Sequence, residues 1–361
     1  MNLSARAELW RRLKENSLVV GDLPPNLYSA GSWHSGFMQG FGGWFASLFL
    51  LSFISSIFSF IHDNHVLELA AGIICCLVAF GFLKFKSDSD FITQFALLLS
   101  FSGQSLVCMA LFYLLKNDSS LFLFISIFEL LLAIIIPNFI HRVFTSWMGM
   151  LTLGVFFTGI GLRGLGPGVA AAFMAVLWLT EYLWVTEHKK YQAIAYGFTF
   201  AFLLIDAIGQ VGDFGGWLKP DKTSWMNIYS LQISWGLVLS ILLLTVRELL
   251  LREKISSINK FGIIIWLATI ALGTFAFYAP GIVGALLVVL LGFAVGNRIL
   301  LWLGLLAVGV FLFNYYYQLQ VTLLFKSALL AGSGGLLLLI RLALRKWLFL
   351  NKEEEQDQCA K

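Results

Sequence analysis

Charge is scarce in this sequence. Only 12% of its residues are Asp, Glu, Lys or Arg, against about 25% in soluble domains, so a water-soluble globular fold is excluded. Cysteine is scarce too. Cys75, Cys76, Cys108 and Cys359 form no Cys-x-x-Cys pair. That spacing gives no sign of a zinc ribbon or a disulfide framework, and small apolar fillers remain as the reading. There is no His-Glu-x-x-His, no Walker motif and no Gly-x-Gly-x-x-Gly after a strand, so zinc proteolysis and nucleotide-driven work are not indicated. SGQSLV at 102–107 has no histidine within a span to activate its serine, and Asp213 of GQVGDFGG falls in a loop. No catalytic residue, cofactor or metal is assigned, and an enzyme is not expected. A net charge of +4 suits anionic lipid headgroups rather than nucleic acid. The N-terminal stretch lacks an apolar core before a small-residue cleavage site, so the first span is expected to act as an uncleaved insertion signal.

Apolar residues are abundant: 59% of the chain, with 34 Phe and 12 Trp. A membrane span needs about 20 mostly apolar residues. Twelve segments qualify, near 37–61, 66–84, 91–115, 121–140, 144–162, 167–186, 191–210, 227–247, 261–278, 280–296, 298–316 and 320–340. The fold class is therefore all-α, a polytopic transmembrane helix bundle of about twelve spans. Lysine and arginine set the orientation. With both termini in the cytoplasm, 18 of them fall on the inside and 4 outside, namely Lys116, Arg163, Lys219 and Lys222. Residues 1–36 read as a cytoplasmic arm, with Leu3, Ala7, Trp10 and Leu13 on one face of an interfacial helix. Residues 37–341 form the membrane domain, and 342–361 a polar cytoplasmic tail.

Polar residues inside spans carry the remaining signal, because a charge at a helix centre costs about 2.5–3.5 kcal/mol on insertion scales. Glu129 lies near the middle of span four and Gln104 near the middle of span three. Glu181 falls in the inner third of span six, Asp206 near the outer end of span seven, and Lys326 in the outer third of span twelve. Glu129 reads either as a protonated acid hydrogen-bonded to a neighbouring helix or as a proton- or ion-coupling site. Lys326 is a cation near the start of its helix and Asp206 an anion near the end of its own, each of the wrong sign for the helix dipole. Their matched depth makes Asp206 the first-choice partner for Lys326, with Glu68 second. Snorkelling of Lys326 and contact with a substrate are the alternatives. His62, His65 and Glu68, three residues apart, have helical spacing for metal ligands but no fourth ligand.

The C-terminal third carries a set of short motifs: Gly-Asn-Arg at 296–298, Tyr-Tyr-Tyr-x-Leu at 315–319, Leu-Leu-x-Lys-Ser at 323–327 and Ser-Gly at 333–334. With SDFITQFALLLSFSGQSL, IIPNFIHRVFTS and GFGGWFASLFLLSF upstream, the chain from about residue 33 resembles a bacterial inner-membrane family catalogued as domain of unknown function four-four-zero-one. The resemblance implies a multi-pass protein of the bacterial inner membrane with no established activity. It marks Asn297, Arg298, Tyr315, Tyr316, Tyr317, Lys326 and Ser327 as pattern residues. It also implies a partner, a small membrane-anchored protein encoded nearby. Successive residues of a helix turn about 100°, so at least one of the three tyrosines is expected to point into the bundle. A transporter or permease-like role is expected first. A non-catalytic scaffold or accessory subunit of an envelope complex is the alternative.

Overall fold

Apolar runs fold as helices wherever the chain is described. The computed structural model describes residues 10–16, 49, 64–85, 90–115, 119–211, 225–254, 259–277 and 281–318. Among the described residues every regular element is helical. In chain order these are α1 (His65–Phe85), α2 (Asp90–Leu114), α3 (Ser120–Ile135), α4 (Phe139–Gly159), α5 (Leu165–Leu179), a 3₁₀ segment (Glu181–Glu187), α6 (His188–Val211), the single turn α7 (Trp225–Ile228), α8 (Ser230–Arg252), α9 (Lys260–Phe275), α10 (Ile282–Val295) and α11 (Arg298–Gln318). Ten of the twelve expected spans overlap one of these helices. The first and last lie outside the described residues, apart from Phe49, and so do His62, Lys326 and Ser327. Trp10 to Glu15 of the N-terminal arm is helical, with Arg11 and Glu15 paired at 3.2 Å.

Local chemistry sets where the helices end. Span four stops at Ile135 rather than near residue 140, because Ile136 precedes Pro137 and is extended (φ −77°, ψ 122°), as a pre-proline residue prefers. Asn138 then caps α4, its side chain accepting from the His141 backbone N–H at 3.1 Å. Span six leaves the α-helical path at Leu179 and continues as the 3₁₀ segment. Glu181 therefore lies beyond the end of α5, 3.2 Å from His188 Nδ1, at the start of the helical stretch that leads into α6. His141, fully buried, lies in the first turn of α4, ahead of the apolar run.

The chain divides into two compact units after Leu114. In the first, α1 and α2 pack antiparallel at a close approach. A Cβ on Gly72 would stand 2.7 Å from the Gly103 carbonyl oxygen, and one on Gly103 would stand 2.7 Å from that of Gly72. Small residues at such a crossing let two backbones meet. His65 stacks on Tyr113 with ring centroids 4.4 Å apart.

In the second unit the core is built on α5, α6 and α10, with Met174, Trp178, Phe202, Leu287 and Leu291 fully or almost fully buried. Trp178 donates its indole N–H to Thr199 at 3.1 Å, tying α5 to α6. The turn from α10 to α11 is compact. Gly296 is left-handed (φ 70°), and the Asn297 N–H returns to the Gly292 carbonyl at 3.0 Å, which is a Schellman closure.

The outward surfaces are apolar. Ile74, Leu77, Phe293, Trp302 and Leu306 are all more than half exposed. Five described helices, including α1, α8 and α11, are long and apolar enough to cross a bilayer. Apolar residues on the outward faces of helices long enough to cross a bilayer describe a membrane protein. Four further helices, α3, α5, α9 and α10, are apolar but only 14–16 residues long.

Candidate functional site

Asp206 stands five residues before the end of α6, where the helix carbonyls already give a negative end. It is only 8% exposed. Its Oδ2 is buried and takes no hydrogen bond from any described residue. The carboxylate abuts the first turn of α10: a Cβ on Gly284 would meet Oδ2 at 2.7 Å. Glycine is required there because any larger side chain would displace the carboxylate.

Beside Asp206 is a small chamber of about 30 Å³, walled also by Arg163, Pro167, Ser230, Ser234, Gly281 and Val283. Four helices meet there. The end of α6 supplies Asp206 and Gly209, the start of α5 supplies Pro167, the start of α8 supplies the two serines, and the start of α10 supplies Gly281 to Gly284. Gly281 adopts a left-handed conformation (φ 89°) to open α10 and offers no capping side chain. Arg163, from the turn before α5, donates from Nη2 to the Gly209 carbonyl at 3.0 Å. That contact puts a cation at the negative end of α6.

Glu129, in the same unit, does not line this chamber. Glu129 is 3% exposed on α3, facing Gly149 of α4. The bond between these helices is made one turn earlier, by Ser126 Oγ to the Gly149 carbonyl at 2.7 Å. Glu129 Oε2 makes no such bond to any described residue, so the expected hydrogen bond from Glu129 to a neighbouring helix is carried by the serine instead. Gln104 is buried on α2, its amide donating to Ser100 Oγ within the same helix at 3.2 Å. Glu68 lies 3.6 Å from His65 Nδ1. Among the described residues no three His, Cys, Asp or Glu side chains group as metal ligands.

The motif residues of the C-terminal third divide between packing and surface. Asn297 accepts from the N–H groups of Ile299 and Leu300 at 3.1 and 3.2 Å, which caps α11. It also meets the Tyr196 hydroxyl of α6. Arg298 is exposed at the first position of α11. Tyr315 packs against the core, whereas Tyr317 is 66% exposed, so the three tyrosines turn around the helix as expected. Lys326 and Ser327 lie outside the described residues.

A family model described as Domain of unknown function (DUF4401) matches residues 32–347. The chain belongs to that family. No curated protein and no solved structure matches it. Within the DUF4401 match, Asn297 does structural work, ending one helix and starting the next. Asp206, Arg163 and Gly284 come together at the chamber. Sequence reading had singled out Asp206 but missed Arg163, Ser230, Ser234 and Gly284. The available signals were an arginine inside the RGLGPG turn and a second glycine three residues after Gly281.

Proposed function

We propose that this chain is a permease-like, non-enzymatic protein of the bacterial inner membrane, with twelve spans and both termini in the cytoplasm. The Asp206 chamber lies on its path, toward the outer face. One observation carries the reading: a buried acid with an unsatisfied oxygen lines a small chamber where helix ends meet. Within a membrane such groups are costly and mark ion or solute paths, and helix ends meeting at a site are a recurring device of transporters. The 18-to-4 split of basic residues supports the orientation. The test is access. With the native cysteines replaced, Ser234→Cys should react with silver ion, a thiophile small enough for the chamber, applied in chloride-free buffer from either face of oriented vesicles. Reaction from one face only, or from neither, would reject a path through this point.

A second reading is a scaffold or accessory subunit in an envelope complex, partnered by a small membrane-anchored protein. It is favoured by a wide apolar groove of about 720 Å³ between α4, α6 and α11, lined by Phe139, Trp147, Leu203, Leu306 and Val310. Such a groove suits an apolar helix. Co-purification of the protein with a single-span partner that protects Leu306→Cys from labelling would favour it.

A further inference from the structure

We propose that the Asp206 chamber is a binding site for one small inorganic anion of about chloride's size, and that the Asp206 carboxylate is its built-in substitute. The inference deepens the permease reading and rests on it only for the step from binding to movement.

Three helix starts and one arginine bring positive charge to the chamber, against the carbonyl end of α6 and Asp206 itself. The α10 helix starts behind a glycine with no capping side chain, so the N–H groups of Ile282, Val283 and Gly284 have no acceptor within the helix. Val283 and Gly284 face the chamber, and so does Pro167 at the start of α5. A helix start carries roughly half a positive charge and is a ready anion site. Arg163 adds a full charge. The only described anion facing this field is Asp206, reaching in from the end of α6.

An acid serving purely as a structural cap would be fixed by those N–H groups. Asp206 Oδ2 is buried against Gly284 and accepts none. The carboxylate fills the place of an anion without being locked into it. Size narrows the ligand. A single water-sized sphere needs about 10–15 Å³, so a chamber of about 30 Å³ suits an ion of about chloride's size.

Charge then couples the anion to a proton. An ionised Asp206 repels a second anion at this range, whereas a protonated one does not and can donate to it. Each ligand therefore favours the other. Arg163 is the other charged group on the chamber wall; α5, α8 and α10 contribute no charged side chain to it. The helices α4 and α11, also packed on α6, hold His141, Arg142 and Arg298 at the opposite end of α6, with Glu181 and Glu187 of the neighbouring 3₁₀ turn and His188 of α6 itself.

The experiment is thermal unfolding of the full-length purified protein in chloride against gluconate at fixed ionic strength, across pH. In the wild type chloride should raise Tm at acid pH and have little effect at alkaline pH. In Asp206→Asn chloride should raise Tm throughout, with half-maximal effect at a concentration at least about tenfold lower than in the wild type at neutral pH, the factor given by about 1.4 kcal/mol. Arg163→Gln should abolish the chloride effect. A wild type indifferent to the choice of anion at every pH overturns the site, and this arm stands even if Asp206→Asn does not fold. Chloride-specific stabilisation without two-sided labelling of Ser234→Cys supports the site and rejects the permease reading. Two-sided labelling without a chloride effect does the reverse.

Discussion

The Tyr196 hydroxyl lies 2.9 Å from Asn297 Oδ1 and 2.7 Å from its Nδ2, joining the middle of α6 to the turn between α10 and α11. The same Oδ1 caps α11 through Ile299 and Leu300. Asn297→Ala removes a cap and a partly buried hydrogen bond together, and should cost about 1–3 kcal/mol. Tyr196→Phe removes only the second and should cost less. Asn297→Asp, which keeps the capping oxygen, should fall nearest the wild type. Thermal unfolding in detergent gives the order. Equal losses for Asn297→Ala and Tyr196→Phe would mean that the cap contributes nothing.

Gly72 and Gly81 share α1 but not their surroundings. A side chain at Gly72 meets the Gly103 backbone, which cannot give way, whereas nothing lies within 4 Å of a Cβ on Gly81. Gly72→Val should therefore break the α1–α2 pair. Gly81→Ala should be neutral, or stabilising by up to about 1 kcal/mol through lower backbone entropy in the unfolded state. Disulfide trapping across the pair, with cysteines at Phe82 and Phe95, reports whether the helices still meet. Efficient trapping in Gly72→Val would contradict the packing.

Lys326 lies outside the described residues, and its pairing with Asp206, expected from the sequence, is open to a stability test. In gluconate, Asp206→Ala should lose more stability than Lys326→Met, because it strands buried positive charge at a cost of about 3–5 kcal/mol. The double variant should recover much of that loss. Strict additivity of the two single effects would separate Lys326 from this site.

Both termini are expected in the cytoplasm, with the loop that holds Trp217 outside. Single cysteines placed in that loop and in the C-terminal tail, probed with an impermeant reagent on intact cells, check this directly. Labelling of the tail would overturn the map.

What the sequence made legible was chiefly local. Apolar runs marked the helices because lipid demands them, and Pro137, Gly281 and Gly296 sit at breaks because their backbones favour breaks. The expectation that Asp206 needs a compensating positive charge was also readable, since its place near a helix end is a local fact. The identity of the groups around it was not. Arg163 and Gly284 are far from Asp206 in the chain, and neither belongs to a repeating pattern that would point to the other. Asn297 stood out as part of a motif, yet its cap and its bond to Tyr196 appear only when α6 and α11 are brought together. The sequence leaves Glu129 either as an acid hydrogen-bonded to a neighbouring helix or as a proton- or ion-coupling site, and gives no sign that a serine makes the bond between α3 and α4. Ser126, one turn away, has the shorter side chain that suits a close approach to the Gly149 carbonyl.

The short helices α5 and α10, which wall the chamber, have 15 and 14 residues. At about 1.5 Å per residue they measure about 21–23 Å, against a hydrocarbon layer of about 30 Å. Both are core helices, so the layer that narrows at their ends is protein rather than lipid. Where the insulating layer narrows, the same membrane voltage falls over a shorter distance. A charge entering near Asp206 would then feel a steeper field than one elsewhere in the bilayer.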